Sequence, residues 1–158
     1  MVEIYVDADA CPVKEEVYRV ARRHKLRVVL VANAWMRTPQ DAGIELVVVE
    51  GGLDAADDWI VEHAAENDLV ITGDIPLAAR CLQKGARVLG PTGREFTEDS
   101  IGGAMATREI QSHLRQLGTI TKGSGAFEKR HRSRFLQVLD VMIEAAMKGK
   151  HSRPREAE

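Results

Sequence analysis

Five short runs rich in β-branched residues, Val2 to Val6, Arg27 to Ala32, Glu45 to Val49, Leu69 to Thr72 and Arg87 to Leu89, alternate with segments of helical spacing. In Pro12 to His24, residues Val13, Val17, Val20 and Ala21 share one stripe, and Leu53 to Glu66 and Pro76 to Lys84 read as the next two helices. The runs are too apolar to leave a wet face, so the strands are expected to be covered on both sides. Alternation of this kind predicts an α/β chain: a mainly parallel central sheet, right-handed crossovers, three α/β/α layers, and functional loops at the strand C-terminal ends. Two further helices are expected, from about Glu98 to Leu117 and from about Arg132 to Met147, the latter with Phe135, Leu136, Leu139, Ile143 and Met147 as its apolar stripe. The glycine-rich stretch Gly118 to Lys129 reads as a mobile loop, residues 150–158 as a disordered polar tail, and residues 1–149 as a single domain.

The punctuation between these elements is acidic. The first strand runs into Asp7-Ala-Asp9-Ala-Cys11-Pro12, with Pro12 suited to the first position of a helix. The fourth ends in Thr72-Gly73-Asp74, again just before a proline and a helix. The helix preceding that strand opens with Asp54, Asp57 and Asp58. Helical phase separates these three: Asp57 shares a stripe with Ile60, Val61 and Ala64 and faces inward, whereas Asp58 aligns with Glu62 and Glu66 on the solvent face. Asp54 lies one turn before Asp57. Carboxylates gathered at one sheet edge repel one another, and a hard divalent cation such as Mg²⁺ or Mn²⁺ relieves that repulsion.

Each acid also has a capping interpretation. Asp74 suits the helix at Pro76, Asp54 could cap the preceding helix with Asp57 as third-position partner, and Asp9 lies close to Pro12. Caps have no reason to converge on one sheet edge, however, and Asp7 has no helix start within ordinary capping reach. Convergence therefore favours the metal site.

Composition narrows the class. With 158 residues, 44% hydrophobic and 29% charged, the chain matches an ordinary globular domain. No apolar run approaches the roughly 20 residues of a membrane span, and the acidic start MVEIYVDADA is unlike a signal peptide, so a cytoplasmic protein is expected. Two cysteines and five scattered histidines fall in no zinc-ligand spacing. Cys11 has no His or second Cys beside it and reads as a small buried residue.

The net charge of −2 conceals an asymmetry: 11 Lys/Arg against 18 Asp/Glu up to Gly103, and 11 against 6 after it. An acidic portion able to hold cations thus precedes a basic portion able to hold phosphates. Lys129, Arg130, Arg132 and Arg134, with His131, crowd the entry to the last helix. Trp35 and Arg37 follow the second strand, where they could stack on a base or grip a phosphate, although packing within its own loop is the expected fate of Trp35.

The blocks Asp7-Ala-Asp9-Ala-Cys11-Pro12-Val-Lys14, Val31-Ala-Asn33, Asp54-Ala-Ala-Asp57-Asp58-Trp-Ile60, Val70-Ile-Thr72-Gly-Asp74-Ile-Pro76-Leu-Ala78 and Arg132-Ser-Arg134-Phe135 together resemble the YaiI/YqxD family of small bacterial proteins, assigned to the PIN-like nuclease superfamily. The resemblance runs from about Ile4 to Ile143. It implies a PIN-like three-layer fold whose acidic pocket binds Mg²⁺ or Mn²⁺, with Asp7 and Asp74 matching the strand-end acids of PIN nucleases. Gly73 stands where Gln is common, and His131 where the Asp of an Asp-Arg pair is expected.

The leading expectation is a divalent-metal-dependent nuclease acting on RNA. Metal held by Asp7, Asp9, Asp57 and Asp74 would activate water against the phosphodiester, while Lys14, Arg37, Arg132 and Arg134 steer the backbone. Strand-Asp-x-Asp also describes a haloacid-dehalogenase-like phosphatase, whose later acidic motif is here incomplete, with Ala78 in place of a further Asp. A third possibility is a catalytically inactive RNA- or protein-binding module that keeps the fold and its pocket.

Overall fold

The computed structural model describes residues 2–52, 54–101 and 129–156. In chain order these form β1 (Glu3–Asp7), a 3-10 turn (Ala8–Ala10), α1 (Lys14–His24), β2 (Arg27–Ala32), β3 (Ile44–Val48), α2 (Ala55–His63), β4 (Leu69–Ile71), α3 (Ile75–Gln83), β5 (Arg87–Leu89), β6 (Glu95–Phe96) and α4 (Lys129–Glu156). The strands build one six-stranded sheet in the order β3-β2-β1-β4-β5-β6. All neighbouring pairs are parallel except β5 with β6. Helices cover both faces, giving the three-layer α/β/α fold that a PIN-like chain implies.

Strand alternation sorts the core into two halves. Ile4 and Val6 of β1, Val28 and Leu30 of β2, and Leu69 and Ile71 of β4 point to one face, where they meet Val17 and Val20 of α1 and Phe135, Leu139 and Ile143 of α4. Tyr5, Val29, Val31 and Val70 point to the other, against Ala56 and Ile60 of α2 and Leu77, Ala78 and Cys81 of α3. Because Asp7 follows Tyr5 by two residues, it emerges on the α2/α3 side. That alternation brings an acid of β1 toward the acids of α2.

Local chemistry explains the helix ends. In α1 the chain turns at Lys25, in the left-handed region at φ 59°, and its N–H returns to the carbonyls of Ala21 and Arg22. That helix begins at Lys14, two residues later than the proline suggests. α2 is shorter than expected because Ala64 is already extended. Helical backbone starts again at residue 98, where Thr97 and Ser100 cap each other reciprocally, each backbone N–H donating to the other's hydroxyl at 2.8 and 3.1 Å. The rest of that expected helix and the glycine-rich stretch up to residue 128 lie outside the described residues.

α4 opens at Lys129, three residues ahead of the expected start, and its helical backbone continues through residues 150–156, which read as a tail in the sequence. The sequence pattern does not predict the strand β6. It is two residues long, too short for any periodicity, and a turn returns it to β5 through Gly90 N–H donating to the Arg94 carbonyl at 2.8 Å. Among the described residues, no helix is long and apolar enough to cross a membrane.

Candidate functional site

The order of the strands creates a crevice at one place. From β1 the chain crosses to β2 on one side, and from β4 it crosses to β5 on the other, so the loops leaving these adjacent strands diverge. In open parallel sheets such a switch point, at the strand C-terminal ends, is where ligands bind. Asp7 ends β1, and Thr72-Gly73-Asp74 follows β4 immediately, so both expected strand-end acids stand at this crevice.

Six polar or acidic side chains surround an open cleft of about 550 Å³: Asp7, Asp9, Asn33, Asp54, Asp57 and Asp74, with Ala56 completing the lining. A second recess, lined by Asp7, Cys11, Ile71, Thr72, Gly73, Asp74 and Pro91, shares Asp7 and Asp74 with it. The four acids singled out as metal ligands thus line one space. Asp58 turns outward and forms a 3.0 Å ion pair with Arg80 of α3, as helical phase requires.

Each acid is held differently. Asp7 is half-buried, and its Oδ2 accepts a 2.8 Å hydrogen bond from the Thr72 hydroxyl. Thr72 Oγ1 in turn accepts from the Asp74 backbone N–H at 3.0 Å. Asp74 caps α3, its Oδ1 accepting from Leu77 N–H at 3.2 Å; this leaves Oδ2 with no protein bond required by the cap. The capping interpretation therefore holds for Asp74 and coexists with its place in the cleft. For Asp54 it does not hold: the residue has helical backbone angles and its side chain makes no capping bond. Asp9 is exposed on the 3-10 turn, and its Oδ2 accepts from Asn33 N–H at 3.0 Å. The Asn33 amide also donates to the Gly52 carbonyl at 2.6 Å, joining the turn, the loop after β2 and the approach to α2.

The electrostatics are those of unrelieved like charges. Burial, then the carboxylates of Asp74, Asp7 and Asp54, push the Asp57 carboxyl up to about 6, against the opposing effect of Arg80. Asp7 is also raised, first by burial and then by Asp74 and Asp9, with the Thr72 hydrogen bond acting the other way. Among the described residues, the one trio of possible metal ligands whose atoms all lie within 4.8 Å of one another is elsewhere: His24, Asp140 and Glu144, at the α1–α4 contact. The cleft acids stand farther apart, ringing a space.

The expected cations have mixed placements. Lys14 Nζ donates to the carbonyls of Ala8 and Cys11, at 3.2 and 2.9 Å, and so braces the turn that carries Asp9. Arg132 donates to the Pro12 carbonyl at 2.8 Å and lies 3.3 Å from the Glu16 carboxylate. Arg134 Nε donates to the Thr92 carbonyl at 2.9 Å. All three charged ends have protein oxygens as partners: carbonyls for Lys14 and Arg134, and a carbonyl together with the Glu16 carboxylate for Arg132. Arg37 differs: it is exposed and lines a separate recess with Trp35.

Trp35 is the clearest correction: it does not pack within its loop but is 74% exposed. Cys11 is half-buried, and burial pushes its thiol up, away from nucleophilic chemistry near neutral pH. Thr72 and Asn33 join the site although the sequence pattern does not single them out. Thr72 carried a signal, a hydroxyl two residues before the acid whose N–H it accepts, but threonine is also an ordinary strand residue.

Proteins of similar sequence are known. A family model described as the uncharacterised YaiI/YqxD family matches residues 5–145. A UPF0178 protein from Rhodospirillum centenum is 53% identical over 154 residues, covering 95% of this chain and 100% of that relative. UPF0178 proteins from a Caulobacter species (strain K31) and from Agrobacterium fabrum are 54% and 55% identical, over 90% and 87% of this chain and 95% and 90% of their own. No solved structure gives a significant match. With the family model covering almost the entire described sheet and its acidic loops, the chain belongs to the YaiI/YqxD family.

Proposed function

We propose that this chain is a divalent-metal-dependent hydrolase of phosphodiesters, with RNA as its substrate. The observation that carries the proposal is the ring of Asp7, Asp9, Asp57 and Asp74 around one cleft at the switch point of the sheet. The donor set is all hard carboxylate oxygen, which suits Mg²⁺ or Mn²⁺ and not a thiophilic ion. Burial first, and neighbouring carboxylates after it, raise the protonation of Asp7 and Asp57, and a bound cation would favour their charged forms. When bound, such a cation supplies Lewis acidity, making water a usable nucleophile near neutral pH and offsetting the charge that builds on the attacked phosphate.

The protein's own residues prepare the site. Thr72 orients Asp7 and fixes the Asp74 backbone, so the two strand-end acids are held together before any ion arrives. Asn33 orients Asp9. Lys14, Arg132 and Arg134 hold the surrounding loops, and with Arg37 they are the cations that would steer the substrate's phosphates.

The test is cleavage of an end-labelled single-stranded RNA by the purified chain in EDTA, Mg²⁺ and Mn²⁺, beside Asp7→Asn and Asp74→Asn. The expected result is cleavage that requires the metal and falls at least a hundredfold in each variant, as loss of a catalytic electrostatic partner does. Cleavage undiminished in both variants would trace to a contaminant and end the proposal.

A further inference from the structure

We propose that Trp35 and Arg37 form a nucleotide subsite beside the acidic cleft, Trp35 stacking on an unpaired base and Arg37 contacting its phosphate. The inference rests on the phosphodiester reading of the cleft and deepens it, since only a single strand offers a free base face to an aromatic side chain.

The chain's two tryptophans differ in their surroundings. Trp59 is partly buried, stacks on His63 with ring centroids 3.7 Å apart, and approaches Tyr5 at 6.1 Å. Trp35 has no ring contact among the described residues and is 74% exposed. Its loop is nonetheless anchored: Met36, the next residue, is half-buried against the core, so the interior takes the middle of the three side chains and leaves Trp35 and Arg37 outside. Together with Thr38, Pro39 and Gln40 they line a recess of about 520 Å³.

The position of this recess links it to the cleft. Asn33, two residues before Trp35, binds Asp9 through its backbone and Gly52 through its side chain, and it lines the acidic space itself. Two residues span at most roughly 7 Å, so the exposed indole leaves the rim of the acidic cleft itself. A strand whose phosphodiester sits over the acids can therefore place a neighbouring base on Trp35. Arg37 supplies the positive charge that a phosphate requires and that the cleft lacks, and a planar guanidinium suits that contact.

The test uses tryptophan emission in a Trp59→Phe background, which leaves Trp35 as the sole reporter. The probes are 12-nucleotide single-stranded RNA and DNA, the blunt duplex, and an abasic phosphodiester of equal length, each titrated in EDTA and again in Ca²⁺. Both single strands are expected to quench Trp35, whereas duplex and abasic probes leave it unchanged. In the otherwise native chain, Trp35→Ala should weaken single-strand binding about tenfold and Trp35→Phe much less, in the range of base stacking on an aromatic side chain, with Mn²⁺ affinity unaltered. Absence of quenching in both conditions, equal binding of the abasic probe, or equal affinity in Trp35→Ala would overturn the subsite. So would loss of self-association in Trp35→Ala, seen by sedimentation without any effect on oligonucleotide binding, which would assign Trp35 to contact with a second copy. Failure here is separable from failure of the hydrolase reading: metal-dependent cleavage with unchanged KM in Trp35→Ala removes only the subsite, while binding on Trp35 without cleavage removes only the hydrolase.

Discussion

The Thr72 hydroxyl donates to Asp7 Oδ2 at 2.8 Å, joining the residue after β4 to the last residue of β1 across the switch point of the sheet. Its oxygen simultaneously accepts the Asp74 N–H. One side chain thus holds both strand-end acids, and it is 3% exposed.

Replacing Thr72 by Val keeps its shape and removes both bonds. Asp7 then feels burial and its neighbouring carboxylates without the compensating donor, so its carboxyl should titrate at higher pH than in the parent chain. The Asp74 N–H loses its acceptor, a loss of about 1 to 3 kcal/mol if it stays dry. Carboxyl NMR titration and urea unfolding check the two effects. An unchanged Asp7 titration would mean that the bond has no electrostatic consequence.

Stability of the metal-free chain should rise as pH falls from 7 toward 5. Asp7 and Asp57 have folded pKa values above their ordinary ones, with Asp57 near 6, so the folded state binds more protons than the unfolded state between about 3.8 and 6. Their charged forms destabilise the fold above that window, and protonation removes the penalty. Asp41 and Asp140, lowered by the Gly43 N–H and by His24 respectively, act in the opposite sense, but only below the ordinary carboxylate range. Thermal melts across pH check the sign, and Mn²⁺ should reverse it by stabilising more at pH 7 than at pH 5. A melting temperature that falls steadily from pH 7 to 5 without metal would contradict the repulsion argument.

Asp57→Asn and Asp58→Asn should differ although the residues are adjacent. The first should raise the metal-free melting temperature at pH 7, flatten its pH dependence and weaken Mn²⁺ binding by at least tenfold. The second removes only an exposed ion pair with Arg80, an interaction worth about 0 to 1 kcal/mol, and should leave Mn²⁺ binding unchanged. Isothermal titration calorimetry separates them, and equal losses would show that facing on α2 does not matter.

Gly93 should tolerate no side chain. Its φ is 91°, and a Cβ would lie 2.6 Å from Arg134 Cγ and 3.0 Å from the backbone of Arg134 and Phe135. Gly93→Ala should cost about 2 to 4 kcal/mol, combining backbone strain with overpacking against the start of α4. Gly52 has φ 101° and open space around it, so Gly52→Ala should carry the strain alone, about 1 to 2 kcal/mol. Urea midpoints compare them; equal losses would remove the contact with α4 from the explanation.

Much of this fold is legible in the sequence because buried parallel strands have no polar face, and runs such as Arg27 to Ala32 have few other structural uses. The facing of Asp57 and Asp58 follows from helical period alone. Arg132 and Arg134 show where such reasoning stops: their partners Pro12 and Thr92 lie 120 and 42 residues away, and local pattern cannot say which distant carbonyl needs a donor. Trp35 defeats it for a related reason. An irregular loop has no period, so nothing local indicates that Met36 would take the interior position and leave the indole outside. The strand β6 is invisible because two residues cannot show alternation.

The proposed hydrolase requires Asp7, Asp9, Asp57 and Asp74 to share one divalent cation. Crystals soaked in Mn²⁺ and measured at the manganese absorption edge test it directly. The expected result is an anomalous peak in the cleft between β1 and β4, within about 2.0 to 2.6 Å of carboxylate oxygens from both strand ends, and its loss in Asp7→Asn. An empty cleft at saturating Mn²⁺, or a peak only at His24, Asp140 and Glu144, would contradict it.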